Sequence, residues 1–358
     1  MSSVVIEEIP IPATLDGSAA AADFAATIEV RNVVEEAGYG TPDVRVDAER
    51  LLAAWNDPHA PHRLFVVRSD GRIVARGMIE SLLDDPTGVC WLDVRVHPDA
   101  VGRGIGRAMA DRLEQLAREQ GHSHANVYIV SPEGPGERVV PPTGHGSLPS
   151  GNREVRFLRT RGYRLEQILR ASRLGLPIDP DELRARVRAS RERSGDEYRV
   201  HRWVGPSPER FLDDMAVLFT RMSTDAPQAG LEEPEDPWTA ERVAEHDARL
   251  VGEESVMLTA AVEHVGTGRL VGFTQLNVPT DAARPATQED TLVLREHRGH
   301  ALGMLLKVEN LEQLETEFPG RPSVLTWNAD ENQHMLAVNE ELGFEAIGYE
   351  GAWRLDLR

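Results

Sequence analysis

The sequence predicts a mixed α/β fold made of two similar domains in tandem. Its 358 residues exceed one average domain and suit two domains of roughly 150 to 180 residues. Apolar, β-branched runs of strand length alternate with helical segments, and one strand, loop and helix pattern occurs twice, at residues 94–109 and 292–304. We therefore expect an N-terminal domain at residues 1–175, a linker helix at 176–196 and a C-terminal domain at 197–358.

In the first half, strands are predicted where apolar and β-branched residues cluster between turn residues. They are residues 4–9, 64–68, 73–79, 89–96, 124–130 and 165–174. Asp70-Gly71 is a typical turn between the second and third runs. Helices are predicted at residues 18–37, 47–56, 104–120 and 153–161. Residues 131–151 are rich in Pro and Gly without periodicity, which predicts a long loop.

The second half repeats this order after a charged linker helix at residues 177–193, which opens with Asp179-Pro180. Its strands are predicted at residues 198–203, 255–262, 269–278, 287–294, 323–327 and 346–355. Its helices are predicted at residues 211–222, 238–250, 304–318 and 332–342. The acidic, Pro-rich segment 225–238 either borders a site for an amine or is solvated surface.

Composition excludes several classes of function. The formal net charge is -20, from 59 acidic and 39 basic residues, which argues against binding to the phosphate backbone of nucleic acids. An acidic surface attracts cationic small molecules or basic peptides, although it also serves solubility alone. Cys90 is the single cysteine, so no internal disulfide forms, and it is interpreted as a small core residue.

The sequence also indicates a cytoplasmic protein that does not bind membranes. No apolar run reaches transmembrane length, and residues 1–4 lack the charged and apolar regions of a signal peptide. His122 and His124 have no third ligand nearby in the sequence, so no metal site is predicted. We expect a monomer or a homodimer.

The repeated pattern is suited to binding phosphate. In each copy a buried strand ends, a turn with glycine follows, and a helix begins whose first N–H groups have no partner within the helix. These groups and the positive end of the helix dipole favour an anion, and glycine lets the backbone approach it closely. The first loop consists of Val101, Gly102, Arg103, Gly104, Ile105 and Gly106. The second loop consists of Arg298, Gly299, His300, Ala301, Leu302 and Gly303.

Two other phosphate-binding motifs do not fit. The first loop lacks the third glycine of the dinucleotide-binding fingerprint, because Met109 stands at that position. The P-loop motif G-x-x-x-x-G-K-[ST] does not occur.

The two copies share one register. Arg72 and Arg269, Asp93 and Asp290, Val96 and Val293, and Gly106 and Gly303 are each 197 positions apart. A common offset through hairpin, strand and loop indicates a duplicated domain. Gly162 and Gly343 are 181 positions apart, and the long loop after Val130 accounts for the difference.

Both loops resemble motif A of the GNAT superfamily of acyl-CoA-dependent N-acyltransferases, which reads Arg/Gln-x-x-Gly-x-Gly/Ala. The first copy has Gly104 and Gly106 but Val101 in place of Arg or Gln, whereas the second keeps Arg298. The tandem arrangement is similar to that of mycothiol synthase and of actinobacterial tandem acetyltransferases. The resemblance implies two GNAT domains, each a mostly antiparallel, twisted sheet that splays at an acyl-CoA site and is flanked by helices.

The resemblance also implies how acetyl-CoA, the cosubstrate, is bound. Its pyrophosphate lies on the two loops, and its pantetheine pairs with the backbone of a bulged strand. In the C-terminal domain those backbone groups belong to Leu292, Val293 and Leu294. Val94 and Val96 are counterparts in the N-terminal domain. Asn332 and Asn339 belong to a polar ending frequent in the superfamily, and both are expected to bind CoA.

Acyl transfer to an amine requires a neutral amine, and an alkyl ammonium of pKa near 10 lies roughly three units from neutrality, about 4 kcal/mol. A base is therefore expected, and the resemblance implies a carboxylate on the strand before the loop, namely Glu289 or Asp290. Adjacent strand residues face opposite ways, so only one should face the cleft. Both could instead be strand-edge charges. The tyrosine that often acts as the acid is replaced by Asn339 in the second half and by Leu158 in the first.

Taken together, these features predict an N-acetyltransferase that moves an acetyl group from acetyl-CoA to a primary amine of a small molecule. The C-terminal domain is expected to be catalytic, and the N-terminal domain to bind CoA weakly or to be structural. Two alternatives stay open, a non-catalytic acyl-CoA-binding sensor and a peptide N-terminal acetyltransferase.

Overall fold

The computed structural model describes residues 4–83, 85–250 and 255–358. Residues 1–3 lie outside this range, and the expectation of no export signal rests in part on them. No helix in the described part of the chain has the length and apolar character needed to cross a membrane.

The helices and strands follow the predicted order. The helices are α1 (Ala19–Tyr39), α2 (Ala48–Trp55), α3 (Ile105–Glu119), α4 (Arg153–Thr160), α5 (Pro180–Ser194), α6 (Leu212–Asp225), α7 (Ala240–Leu250), α8 (Leu302–Glu317) and α9 (Gln333–Leu342). The strands of the first half are β1 (Glu7–Ile9), β2 (His62–Ser69), β3 (Arg72–Glu80), β4 (Val89–Val96), β5 (His124–Ser131), β6 (Arg138–Val139), β7 (Leu148–Pro149) and β8 (Arg164–Gly175). Those of the second half are β9 (Tyr198–Val204), β10 (Ser255–His264), β11 (Arg269–Pro279), β12 (Ala286–Val293), β13 (Ser323–Ala329) and β14 (Glu345–Asp356).

Twelve of the described strands form one large sheet in the order β1-β2-β3-β4-β5-β14-β8-β13-β12-β11-β10-β9. Its strands are antiparallel except for the pairs β4 with β5 and β12 with β13. The mixed α/β class with a mostly antiparallel sheet is thus confirmed. The predicted long loop differs in containing β6 and β7, which pair with each other.

The final strands of the two halves are exchanged. β8, which ends the first half, pairs with β13 of the second half, while β14, which ends the chain, pairs with β5 of the first. β8 and β14 also pair with each other at the centre of the sheet. One continuous sheet therefore passes through the predicted domains 1–175 and 197–358, whose division stays a prediction from sequence. α5, within the predicted linker, packs on α8 through an ion pair between Arg191 and Glu309.

Helices cover both faces of the sheet. In the first half, α1 and α2 pack on one face, where Phe24, Ile28 and Leu64 belong to one buried apolar cluster. α3 and α4 pack on the opposite face, where Met109 and Leu92 belong to another. The second half repeats the arrangement with α6 and α7 on one face and α8 and α9 on the other. Side chains alternate along a strand, so successive residues of β4 face α3 and α1 in turn.

Candidate functional site

β4 and β5 separate partway along their length. They pair only through Val89, Cys90 and Trp91, opposite His124 to Asn126. Beyond these residues the two parallel strands diverge toward the loop that starts α3. We call the resulting gap the first cleft. It is the splay that the family resemblance implies.

A cavity of about 500 Å³ occupies the first cleft. Its mainly apolar walls come from β4, β5, both flanking helical layers and the loop before α3. They include Val34 and Gly38 of α1, Val94 and Val127 of the strands, and Phe157 of α4. Because α1 and α4 lie on opposite faces, the cavity passes through the sheet between the separated strands. An elongated ligand threaded through this gap could reach both faces.

The first loop, which is predicted to bind phosphate, forms one mouth of the cavity. Gly102 and Gly104 both have a φ of 81°, the left-handed conformation that glycine adopts most easily. α3 begins directly after Gly104 with no side-chain cap, so its first N–H groups are free to bind a ligand. A Cβ at either glycine would meet no atom within 4 Å. This geometry fits a pyrophosphate.

The second loop has a similar backbone, and its Arg298 side chain contacts other residues of the protein. Gly299 has a φ of 89° and Ala301 a φ of 58°, and α8 begins after Ala301 without a side-chain cap. Holding alanine in this region costs roughly 1–2 kcal/mol. The Arg298 guanidinium donates to the Val293 carbonyl at 3.0 Å and to Asp225 at 2.8 Å. Its side chain is therefore occupied by the protein, and the loop offers backbone groups to a phosphate.

A β-bulge interrupts β12 at the two predicted carboxylates. Thr274 of β11 lies opposite Thr291 and Leu276 lies opposite Gln288, so Glu289 and Asp290 share the place of one residue. β12 pairs with β13 only at Ala286 and Thr287, and beyond them the second cleft opens. The expectation that Glu289 and Asp290 face opposite ways assumed a regular strand, and the bulge removes that assumption. β4 pairs with β3 without such an irregularity.

The carboxylates of the two clefts differ in their surroundings. Burial, and then the neighbouring Glu289, raise the pKa of the half-buried Asp290 to about 6. Glu289 forms an ion pair with Arg50 of α2. Burial also raises the pKa of Asp93, but Arg95 and Arg76 outweigh burial and hold that pKa below its usual value. Asp290 can therefore exchange a proton near neutral pH, whereas Asp93 stays ionised.

The remaining predicted residues have mixed surroundings. The Asn332 side chain caps α9 by accepting from the Met335 N–H at 3.3 Å. Asn339 is buried and donates to Asn328 at 2.7 Å, while its own side-chain oxygen has no partner within the described residues. Burial raises the pKa of the Cys90 thiol to about 12, which fits a core residue. The described residues contain no cluster of His, Cys, Asp or Glu able to hold a metal ion.

Sequence reasoning did not single out Lys307 as part of a cleft. Lys307 is 2 % exposed, and its ammonium lies 5.9 Å from the Phe344 ring. Its counterpart 197 positions earlier is Ala110, and the counterpart of Phe344, 181 positions earlier, is Tyr163. Both counterparts line the first cavity. Lys307 and Phe344 thus occupy positions of the second half that are equivalent to two residues lining the first cavity, an equivalence that the two offsets could have predicted.

Comparison with known proteins agrees with this geometry. Residues 28–133 match the model of the acetyltransferase (GNAT) family. A tandem GNAT protein from the clavulanic acid biosynthesis pathway has a TM-score of 0.71 at 23% identity, over 99% of both chains. A GCN5-related N-acetyltransferase from Sphaerobacter thermophilus has a TM-score of 0.62 at 16% identity, over 99% of this chain and 96% of that one.

Among curated protein sequences, none matches this chain. The solved structures are similar in fold, and the family match concerns the half of the chain that contains the first loop and the cavity. Residues 28–133 thus match the acetyltransferase (GNAT) family, which supports an acyltransferase, and the whole length of the chain has the fold of a tandem GNAT protein.

Proposed function

We propose that this protein transfers an acetyl group from acetyl-CoA to a primary amine of a cytoplasmic small molecule, and that its C-terminal half is catalytic. The observation that carries the proposal is the bulge at Glu289 and Asp290. It places a carboxylate with a pKa of about 6 where β12 separates from β13. A base of that pKa is largely ionised at neutral pH and able to accept a proton from an ammonium.

The binding of acetyl-CoA is proposed for both halves. The uncapped starts of α3 and α8 would hold the pyrophosphate through backbone N–H groups. The pantetheine would follow the freed edge of β12 at residues 292–294, and of β4 at residues 94–96. The cavity supports this route in the first half. In the second half, Asn339 contributes an unpaired side-chain oxygen.

In the proposed reaction the ammonium loses one proton to Asp290, directly or through water. The neutral nitrogen then attacks the thioester carbon, and a backbone N–H freed at the bulge stabilises the oxyanion. The carbon–sulfur bond breaks, and the proton released by the nitrogen leaves with the thiolate or to water. A thiol of pKa near 8.5 is a good leaving group, so the reaction does not require a tyrosine acid.

Release of free thiol from acetyl-CoA tests this function. Purified protein is incubated with acetyl-CoA and, in separate reactions, with small primary amines and with peptides that have a free N-terminus. Amine-dependent release with small amines supports the proposal, and release with peptides alone would move the acceptor to that class. No release with any acceptor, despite measurable binding of acetyl-CoA, would establish the sensor alternative.

One observation favours that alternative for the first half. Asp93 is held in ion pairs by Arg76 at 2.7 Å and Arg95 at 3.2 Å, so it is unsuited to accept a proton. Leu158, at the position of the usual tyrosine, lines the cavity. The strand and helix of the first half thus supply neither a free carboxylate nor a tyrosine acid, which favours binding without catalysis in this half.

A further inference from the structure

A segment of the C-terminal half lies across the sheet of the N-terminal half. We call residues 227–233 the strap. The Pro227 carbonyl accepts from Gln167 of β8 at 2.8 Å, and the Gly230 carbonyl accepts from Arg354 of β14 at 2.7 Å. The strap thus starts its crossing over the two exchanged strands.

The strap then continues over β5 toward β4. The Leu231 carbonyl lies 3.1 Å from the His124 ring and accepts from the Asn126 amide at the same distance. The strap ends at Glu233, which lies at the first cleft. Four neighbouring strands, β8, β14, β5 and β4, therefore contact one segment that the other half of the chain supplies.

Glu233 is the strap residue that reaches the first cleft. Its Oε1 accepts from Trp91 Nε1 at 3.2 Å and from the Tyr128 hydroxyl at 2.6 Å. Trp91 is the last residue of β4 that pairs with β5, so Glu233 lies where the strands begin to separate. The next residue, Leu92, lines the cavity from the opposite face of the sheet, so Trp91, Tyr128 and Glu233 lie beside the cavity and do not line it. Glu233 is therefore at the narrow end of the first cleft, on the face that α1 covers.

The charge of Glu233 is not neutralised by the protein. Both of its donors are neutral, and no cation within the described residues forms an ion pair with it. The neighbouring strap carboxylate, Glu232, is paired with Arg354 at 2.9 Å. A half-buried carboxylate between an indole and a phenol suits an ammonium ion, which gains a charge-assisted hydrogen bond and contact with aromatic rings.

We propose that the first cleft contains a binding site for a primary ammonium, formed by Glu233 of the C-terminal half with Trp91 and Tyr128 of the N-terminal half. The class of ligand follows from the chemistry, an anionic acceptor with two aromatic neighbours beside an apolar cavity. The site gives the first half a place for an amine that its own strand carboxylate, Asp93, does not provide. The proposal concerns binding, and it holds whether or not the C-terminal half is catalytic.

The second cleft receives a side chain of the opposite charge from the other half of the chain. There the other half contributes a cation, because Arg50 of α2 pairs with Glu289 beside the bulge. The first cleft thus receives the carboxylate of Glu233 from the other half of the chain, and the second receives the guanidinium of Arg50. An ammonium is expected to bind more tightly beside the unneutralised Glu233 than beside Glu289.

The indole N–H of Trp91 reports on this site directly. The full-length protein is labelled with ¹⁵N-tryptophan, the Trp91 signal is assigned with Trp91→Phe, and n-pentylamine is added without acetyl-CoA. We expect a saturable shift of the Trp91 indole signal. Glu233→Gln keeps a side-chain oxygen for both hydrogen bonds but removes the charge, so it should weaken binding by about tenfold or more.

Three controls make the outcome decisive. Glu232→Gln changes the neighbouring strap carboxylate and should leave the affinity unchanged, and n-pentanol, which has no charge, should not shift the signal. Asp290→Asn should bind the amine as the wild type does, which separates this site from the proposed catalytic base. Equal affinity of the wild type and Glu233→Gln, or no shift with n-pentylamine in a folded wild type, would overturn the proposal.

Discussion

Arg50 of the N-terminal half forms an ion pair with Glu289 of the C-terminal half, beside the bulge of β12. The pair commits Glu289 to a guanidinium and leaves the adjacent Asp290 without a cation partner within the described residues. Burial and the nearby carboxylate then raise the pKa of Asp290 to about 6. The two neighbouring carboxylates therefore differ in their partners, and Asp290 is the one whose pKa is raised.

The first prediction compares these two carboxylates. Asp290→Asn should lower kcat/KM by about 10² to 10⁴-fold, the usual contribution of a general base. Glu289→Gln removes an ion pair on the surface of the cleft and should lower it less than about tenfold. Thiol release under identical conditions measures both. Equal and full activity of the two variants would remove the base assignment.

The second prediction concerns pH. Because a protonated carboxyl cannot accept a proton, the contribution of Asp290 should be lost as the pH falls through about 6. The amine itself also becomes more protonated at low pH, so wild type and Asp290→Asn are compared at each pH. The kcat/KM of the wild type divided by that of Asp290→Asn should be constant above pH 7. It should fall by about tenfold per pH unit well below pH 6. A ratio independent of pH would contradict the assignment.

The sequence predicted both loops and most elements because these depend on local patterns. The offset of 197 positions predicts that Asp93 and Asp290 lie on equivalent strands. Local patterns do not determine which strand lies next to which, so the exchange of β8 and β14 was not predictable from them. For the same reason the ion pair of Arg50 with Glu289, 239 positions apart, was not predictable.

The resemblance implied a bulge on the strand before the loop, with freed backbone groups at residues 292–294, and the structure has the bulge at Glu289 and Asp290. An extra residue in β12 is visible only when its pairing with β11 is known, because the residues themselves have no distinguishing type. The strap shows the same limit. Its acidic composition was compatible with an amine site or with solvated surface, and the contacts of Glu233 with β4 and β5 distinguish it from its neighbours.

The third prediction concerns Lys307 and stability. Burial lowers the pKa of Lys307 to about 7 from an ordinary value near 10.5. Between these pH values the unfolded chain binds a proton that the folded chain does not, so this residue makes stability increase as the pH rises. Lys307→Met keeps a long apolar side chain and removes the titration. At pH 7 the free energy of unfolding of Lys307→Met should exceed that of the wild type, by an amount of order 4 kcal/mol or less.

Urea denaturation at pH 7 and pH 9 measures this effect. The difference in unfolding free energy between Lys307→Met and the wild type should be large at pH 7 and smaller at pH 9. Taking the difference cancels the repulsion within a chain of net charge -20, which both proteins share. The same difference at both pH values would mean that Lys307 has an ordinary pKa in the folded protein.

The fourth prediction separates the two acetyl-CoA sites. Gly303 lies in the first turn of α8, and a Cβ there would meet no atom within 4 Å, so a side chain can be added without a clash. Gly303→Glu should place a carboxylate where the pyrophosphate is proposed to bind and abolish binding to the second half. Gly303→Ala should bind nearly as the wild type does, because it adds volume to open space without charge.

Gly106 is the equivalent residue of α3, where a Cβ would lie 3.5 Å from a Val96 methyl group, an ordinary contact. Gly106→Glu should abolish binding to the first half, with Gly106→Ala as its matched control. Isothermal titration calorimetry with acetyl-CoA then resolves which loop binds. If the wild type binds one equivalent and only one Glu variant loses it, that loop holds the coenzyme, whereas unchanged affinity in both Glu variants would refute the pyrophosphate sites.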